Sequence, residues 1–299
     1  AAINKLDAEM LINMKKSVID LALNASTPKI SFKTDSTVFL NNADVELKIP
    51  ALFDMDKMHL TLNKSEILIN GLTAGITGEV NLKNDIITDL QFHTSEYPVK
   101  DLLALVPAEY LTALEGMNLS GNVSSKGTVK GTFNNNSMPV IDVVATMNKG
   151  TFAYSALPVK LREMNGDLRV LLDLNNDSAS HIVINRFSTL TGNSRIEAKG
   201  LIDHIMLDDM LFDLDLKMGL SLADLKPFLP EGMNMSFSGM TNGNASTKFL
   251  LSDAMNANIE KMNITGWIDA SNLRIDYDSL SMQADKAQLR LSKPQSKQY

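Results

Sequence analysis

The sequence predicts a mainly β protein: an elongated, curved antiparallel sheet or sandwich built of tandem helix-plus-strands repeats, with a few short helices. Three observations predict it. Polar and apolar residues alternate with period two through most of the 299 residues. Clusters of Asn and Gly separate the alternating runs, and a nine-residue motif recurs at a long offset.

Alternation puts successive side chains on opposite faces of a strand, so each run has one oily face and one wet face. From the N-terminus the runs are Ile19, Leu21 and Leu23; Val45, Leu47 and Ile49; and Leu119, Val123 and Val129. Leu168, Val170, Leu172 and Leu174 follow. Phe212, Leu214, Leu216 and Met218 interleave with Asp213, Asp215, Lys217 and Gly219, and the last run is Leu273, Ile275 and Tyr277. One-sided polarity of this kind belongs to antiparallel sheets, because parallel strands buried on both faces read as continuous apolar runs. Asn41-Asn42, Asn134-Asn135-Asn136, Asn175-Asn176, Gly192-Asn193 and Asn242-Gly243-Asn244 tolerate left-handed backbone angles and are expected to be the turns.

The repeated motif reads VKDLLALVP at 99–107 and LADLKPFLP at 222–230. Asp101, Leu102 and Pro107 match Asp224, Leu225 and Pro230, an offset of 224 − 101 = 123 residues. Ser120-Gly121 and Ser238-Gly239 follow the respective copies, as do Tyr154 and Tyr277. Arg169 and Arg290 are two residues out of step, as an insertion in a turn would cause. Val99, Leu102, Leu103, Leu105 and Val106 approach helical spacing; Phe228 lies in the second copy. Ser221 with Asp224 forms a candidate capping box, the prolines would stop each helix, and a second short helix is expected over 108–114. The chain then divides into an N-terminal β-meander at 1–96, a first repeat at 97–219 and a partial second repeat at 220–299.

An apolar share of 44% suits a folded chain, and a net charge of −7 with scattered Lys and Arg gives nucleic acid no electrostatic purchase. No cysteine is present, so disulfides, thiolate metal sites and Cys nucleophiles are excluded together. No run approaches the roughly 20 apolar residues that cross a bilayer, and Ala1-Ala2-Ile3 lacks the features of a signal peptide. The expectation is a soluble fragment of something anchored. His59, His93, His181 and His204 stand apart from one another. The run from Asp203 through Asp208, Asp209, Asp213 and Asp215 reads as a solvated face. Asp173, Asn175 and Asp177 begin like an EF-hand loop but lack its Gly and its final Glu, so a polar turn is expected. No catalytic motif, metal site or cofactor site emerges, and a non-enzyme is expected; a hydrolase using paired carboxylates is the weaker alternative.

The stretch VKDLLALVPAEY, then NLSGNVSSKGTVKGTF, SMPVIDVVATMNKGTFAY and LPVKLREMNGDLRV, resembles the AsmA-like family as found in Bacteroidetes, in detail over 97–173 and more loosely elsewhere. The order Asp101, Pro107, Gly121, Gly127, Gly131, Pro139, Gly150, Tyr154, Pro158 carries the resemblance. It implies a periplasmic β-rich protein held in the inner membrane, acting in outer-membrane assembly and carrying phospholipid along an apolar sheet face. The N-terminal membrane helix usual in that family is missing here. The residues for such a face are Leu168, Val170, Leu172, Phe212, Leu214, Leu216, Leu273 and Ile275, with Met147, Met210, Met218 and Met262 suited to irregular packing. From sequence alone a sealed core, plugged by helices at 99–106 and 222–229, is favoured over an open groove. The alternative function is an envelope scaffold that binds proteins through its edge strands and carries no lipid.

Overall fold

A computed structural model describes residues 2–34, 37–104, 116–155, 158–229, 232–256 and 258–292. The protein is mainly β, and its described strands pair antiparallel. The chain divides into two compact units: 1–115, 122–146 and 170–176 make the first, and 116–121, 147–169 and 177–299 make the second.

The first unit holds β1 (Ala2–Asn4), β2 (Asp7–Lys15), β3 (Val18–Thr34), β4 (Thr37–Asp54), β5 (His59–Ile69), β6 (Leu72–Asn81), β7 (Ile86–Thr94), β8 (Tyr97–Pro98) and the one-turn helix α1 (Val99–Leu103). Both units take residues from β9 (Met117–Phe133), β10 (Val140–Tyr154) and β11 (Lys160–Leu172). Strands from β2 to β7 pair in chain order, and β7 then pairs with β9. Leu21 lies opposite Ile12 and Ala51, and Ala51 opposite Leu62, so the period-two pattern of one strand meets that of the next on a single face. Bulges interrupt the ladders between Lys48 and Ala51 and between Leu62 and Ser65, where Lys64 takes a positive φ of 53°. Each adds a residue on one side and bends the strand.

The second unit holds β12 (His181–Thr191), β13 (Ser194–Asp203), β14 (Leu211–Ser221), β15 (Met235–Leu250), the helix α2 (Leu251–Met255), β16 (Asn263–Tyr277) and β17 (Leu280–Leu291). From β12 to β17 each strand pairs antiparallel with the next. Gly192-Asn193 makes the β12–β13 turn and Asn134–Asn136 the connection from β9 to β10, as their composition predicts. Asp173 Oδ1 accepts the Asn175 N–H at 3.0 Å, the polar turn expected in place of a calcium loop.

Two expected turns are strand interior instead. Asn41-Asn42 lies within β4, where Asn42 uses its left-handed tolerance (φ 49°) inside the strand rather than at a hairpin. Asn242-Gly243-Asn244 lies in the middle of β15, with Gly243 buried and the two Asn side chains exposed on the other face. Pairing on both sides outweighs local turn preference there.

The motif helices also differ from expectation. The described part of the first copy is α1, with Val99 buried; Leu105, Pro107, the segment 108–114 and Pro230 lie outside the described residues. The second copy, Leu222–Phe228, is a 3-10 helix. Pro227 sits inside it and lacks the N–H that an α-helical bond to residue 223 requires, so the tighter winding prevails. The capping box does not form: Ser221 makes no side-chain cap bond, and Asp224 is engaged elsewhere.

Candidate functional site

Registers in the second unit assemble one apolar face strand by strand. Phe212, Leu214, Leu216 and Met218 of β14 meet Phe249, Thr247, Ala245 and Gly243 of β15 on one side and Ile202, Gly200, Ala198 and Ile196 of β13 on the other. Ile264, Gly266 and Ile268 continue it on β16, and past the bulge at Gly239 so do Leu273 and Ile275. Phe212 and Phe249 stack with ring centroids 5.2 Å apart. The opposite face carries Asp213, Asp215 and Lys217, all exposed, with Asp213 paired to Lys248 at 3.1 Å. The first unit has an apolar face of its own, through Ile19, Leu21 and Leu23 of β3, Ile49, Ala51 and Phe53 of β4, Leu60 and Leu62 of β5, and Ile76 and Val80 of β6.

Phe212, Leu214, Leu216, Leu168, Leu273 and Ile275 are half-buried in the second unit, and Val170 and Leu172 are half-buried in the first. Among the described residues, the buried apolar side chains are Ala43, Val45, Ala51, Leu72, Val99, Met164 and Ala245. Three of these are alanines, and the others are Val45, Leu72, Val99 and Met164. In the second motif copy, which packs against β15, Leu225 is 38% and Phe228 55% exposed. In α1, Leu102 is half-buried and Asp101 exposed.

Alternation alone did not reveal the floor of the face. Thr241, Gly243, Ala245 and Thr247 are buried in succession along β15. Ser65 in the first unit and Thr247 in the second have buried hydroxyls without a partner among the described residues. The one sequence signal is the run of small residues between Thr241 and Thr247, each separated by an Asn or Ser that faces solvent.

The repeated Asp has a structural task in the second copy. Asp224 Oδ2 accepts the Asn193 N–H at 2.7 Å and the Ser194 hydroxyl at 2.6 Å. Ser194, only 2% exposed, in turn accepts the Ser221 N–H at 3.0 Å. The motif thereby ties the β12–β13 turn to the end of β14. Asp224→Ala strands the buried Ser194 hydroxyl and is expected to lower stability by about 1–3 kcal/mol, measured by urea unfolding. Asp209 plays a similar part toward α2: it accepts the Ser252 N–H at 2.9 Å and the Ser252 hydroxyl at 2.6 Å. These bonds to Ser252 hold its carboxyl below the usual carboxylate range.

Among the described residues no group of three or more His, Asp or Glu could hold a metal ion. His59, His93 and His181 lie on three separate strands, and His204 follows β13. No described helix is long and apolar enough to cross a membrane. No protein-family model, curated protein or solved structure matches this chain.

Proposed function

We propose that the protein is a non-enzymatic periplasmic domain of outer-membrane assembly that handles or transfers phospholipid along its apolar sheet face, within a longer protein anchored in the inner membrane. The supporting observation is the face itself. In the second unit half-buried Leu, Ile, Phe and Met side chains continue from strand to strand, while small residues of β15 take buried positions between them. Leaving apolar surface in water costs about 25 cal/mol per Å², and contiguous exposed patches mark binding sites. An acyl chain fits such a surface because it is apolar, flexible and indifferent to side-chain detail. The AsmA-like resemblance of 97–173 and the tandem helix-plus-strands organisation, elongated and curved, belong to the same reading.

Photocrosslinking from single positions tests it. With p-benzoylphenylalanine in place of Leu216, phospholipid is expected to become covalently attached in bacterial cells; in place of Lys217, on the other face, attachment is expected to fall to background. Equal labelling at the two positions would contradict a lipid-specific face.

The second reading is a scaffold that binds envelope proteins and carries no lipid. It is favoured by the terminal strands: Leu280 and Met282 of β17 are 69% and 67% exposed, and all nine residues of β2 are exposed. Such strands invite pairing with another chain. A stable complex with an envelope protein, isolated free of lipid, would favour this reading.

A further inference from the structure

The polar face of the second unit carries an arrangement that lipid handling does not explain. Registers align one residue from each of six strands in a single row: Ser188, Glu197, Lys217, Asn244, Trp267 and Arg290. With strands about 4.8 Å apart, the row is roughly 24 Å long, the span of a short oligosaccharide. Trp267 is the only tryptophan in the chain. It stands on the face that alternation reserves for polar residues, 37% exposed, between Asn244 and Arg290.

Beside the tryptophan, a depression of about 820 Å³ opens over β10–β15. Its lining includes the amides of Asn148, Asn165, Asn185 and Asn244. It also includes Arg186, Arg195, Lys199 and Lys217 against only Glu197 and Asp215, so its lining has an excess of two positive charges in a chain whose net charge is −7. Arg195 pairs with Glu197 at 2.9 Å and Lys199 with Asp215 at 3.7 Å; both pairs are exposed and worth little to stability.

We propose that this face binds an anionic polysaccharide strand. Amides, guanidinium groups and carboxylates offer fixed donors and acceptors for ring hydroxyls and acidic substituents. Trp267 supplies a flat amphipathic surface for a sugar ring, and the excess positive charge selects an acidic chain over a neutral one. Interleaved carboxylates and a single aromatic fit a membrane surface less well, and two net positive charges are few for a nucleic-acid backbone. The assignment does not depend on whether the opposite face carries lipid.

Because the chain has one tryptophan, its emission reports the site directly. Tetragalacturonic acid, neutral cellotetraose and phosphatidylglycerol vesicles are titrated into the intact chain, with calorimetry on the same samples. The acidic tetrasaccharide is expected to shift the emission saturably and to weaken as salt rises. Lys217→Ala, an exposed change that leaves the strand intact, is expected to weaken it about tenfold, as loss of a binding charge can. Absence of both heat and emission change, a response to vesicles alone, equal binding of the neutral tetrasaccharide, or unchanged binding by Lys217→Ala would each overturn the proposal.

Discussion

Leu214→Asp is expected to destabilise the protein by about 2–4 kcal/mol, and the neighbouring Asp213→Asn by less than about 0.5 kcal/mol. Leu214 lies on the middle of β14 between Gly200 and Thr247, half-buried on the apolar face. A carboxylate there loses much of its water, and its cross-strand neighbours Gly200 and Thr247 supply no cation. Asp213 points to the other face, where its partner Lys248 is itself exposed. Removing that charge breaks a screened surface pair and leaves nothing buried. Chemical unfolding of both variants measures the contrast, and equal losses would refute the face assignment.

The second large effect is expected at a glycine. Ser120-Gly121 and Ser238-Gly239 follow the two copies of the repeated motif, and the two glycines adopt nearly the same left-handed backbone, with φ of 121° and 119°. A Cβ on Gly239 would lie 2.7 Å from the Asn272 carbonyl oxygen, and one on Gly121 would lie 2.6 Å from the Gly150 Cα. Both collisions are with backbone, which has no rotamer through which to retreat. Gly239→Ala is therefore expected to cost about 2–4 kcal/mol, combining strain with displacement of a paired strand. Gly219→Ala is the control: the nearest atom is the Asn242 Oδ1 at 3.4 Å, the end of an exposed side chain. Thermal unfolding should separate the two variants by about 3–6 °C, and similar midpoints would mean that the bulge at Gly239 relaxes freely.

Much of the architecture was legible because its signals are local. Alternation from Phe212 to Met218 marks both the strand and its two faces, and one-sided polarity distinguishes antiparallel from parallel pairing. Gly192-Asn193 was read correctly as a turn for the same reason. Asn242-Gly243-Asn244 has equal turn character yet lies in β15, because Gly243 is held opposite Met218 and Ile268, neither of which is near in sequence. Asn42 shows a subtler misreading, since its left-handed geometry is present but serves the interior of a strand.

What stayed hidden depends on register. The tie from Asp224 to Ser194 crosses 30 residues, and nothing in the motif indicates that its Asp reaches a neighbouring turn rather than its own helix end. The row through Asn244, Trp267 and Arg290 exists only once three strands are aligned. The floor at Thr241–Thr247 was likewise missed, because small residues carry little hydrophobic signal although they occupy the buried positions. The exposure of Phe228 in the second motif copy was hidden for the same reason, since its helical spacing does not show which side of the segment meets the sheet.

Lipid extraction and mass spectrometry on this chain, purified from membrane-free bacterial lysate beside a β-rich soluble protein of similar size, tests the central claim most directly. Co-purification of phospholipid in roughly stoichiometric amount, absent from the control and lost in Leu214→Asp, is the expected result. A chain that is folded and free of lipid would contradict lipid handling by the apolar face and leave the scaffold reading in its place.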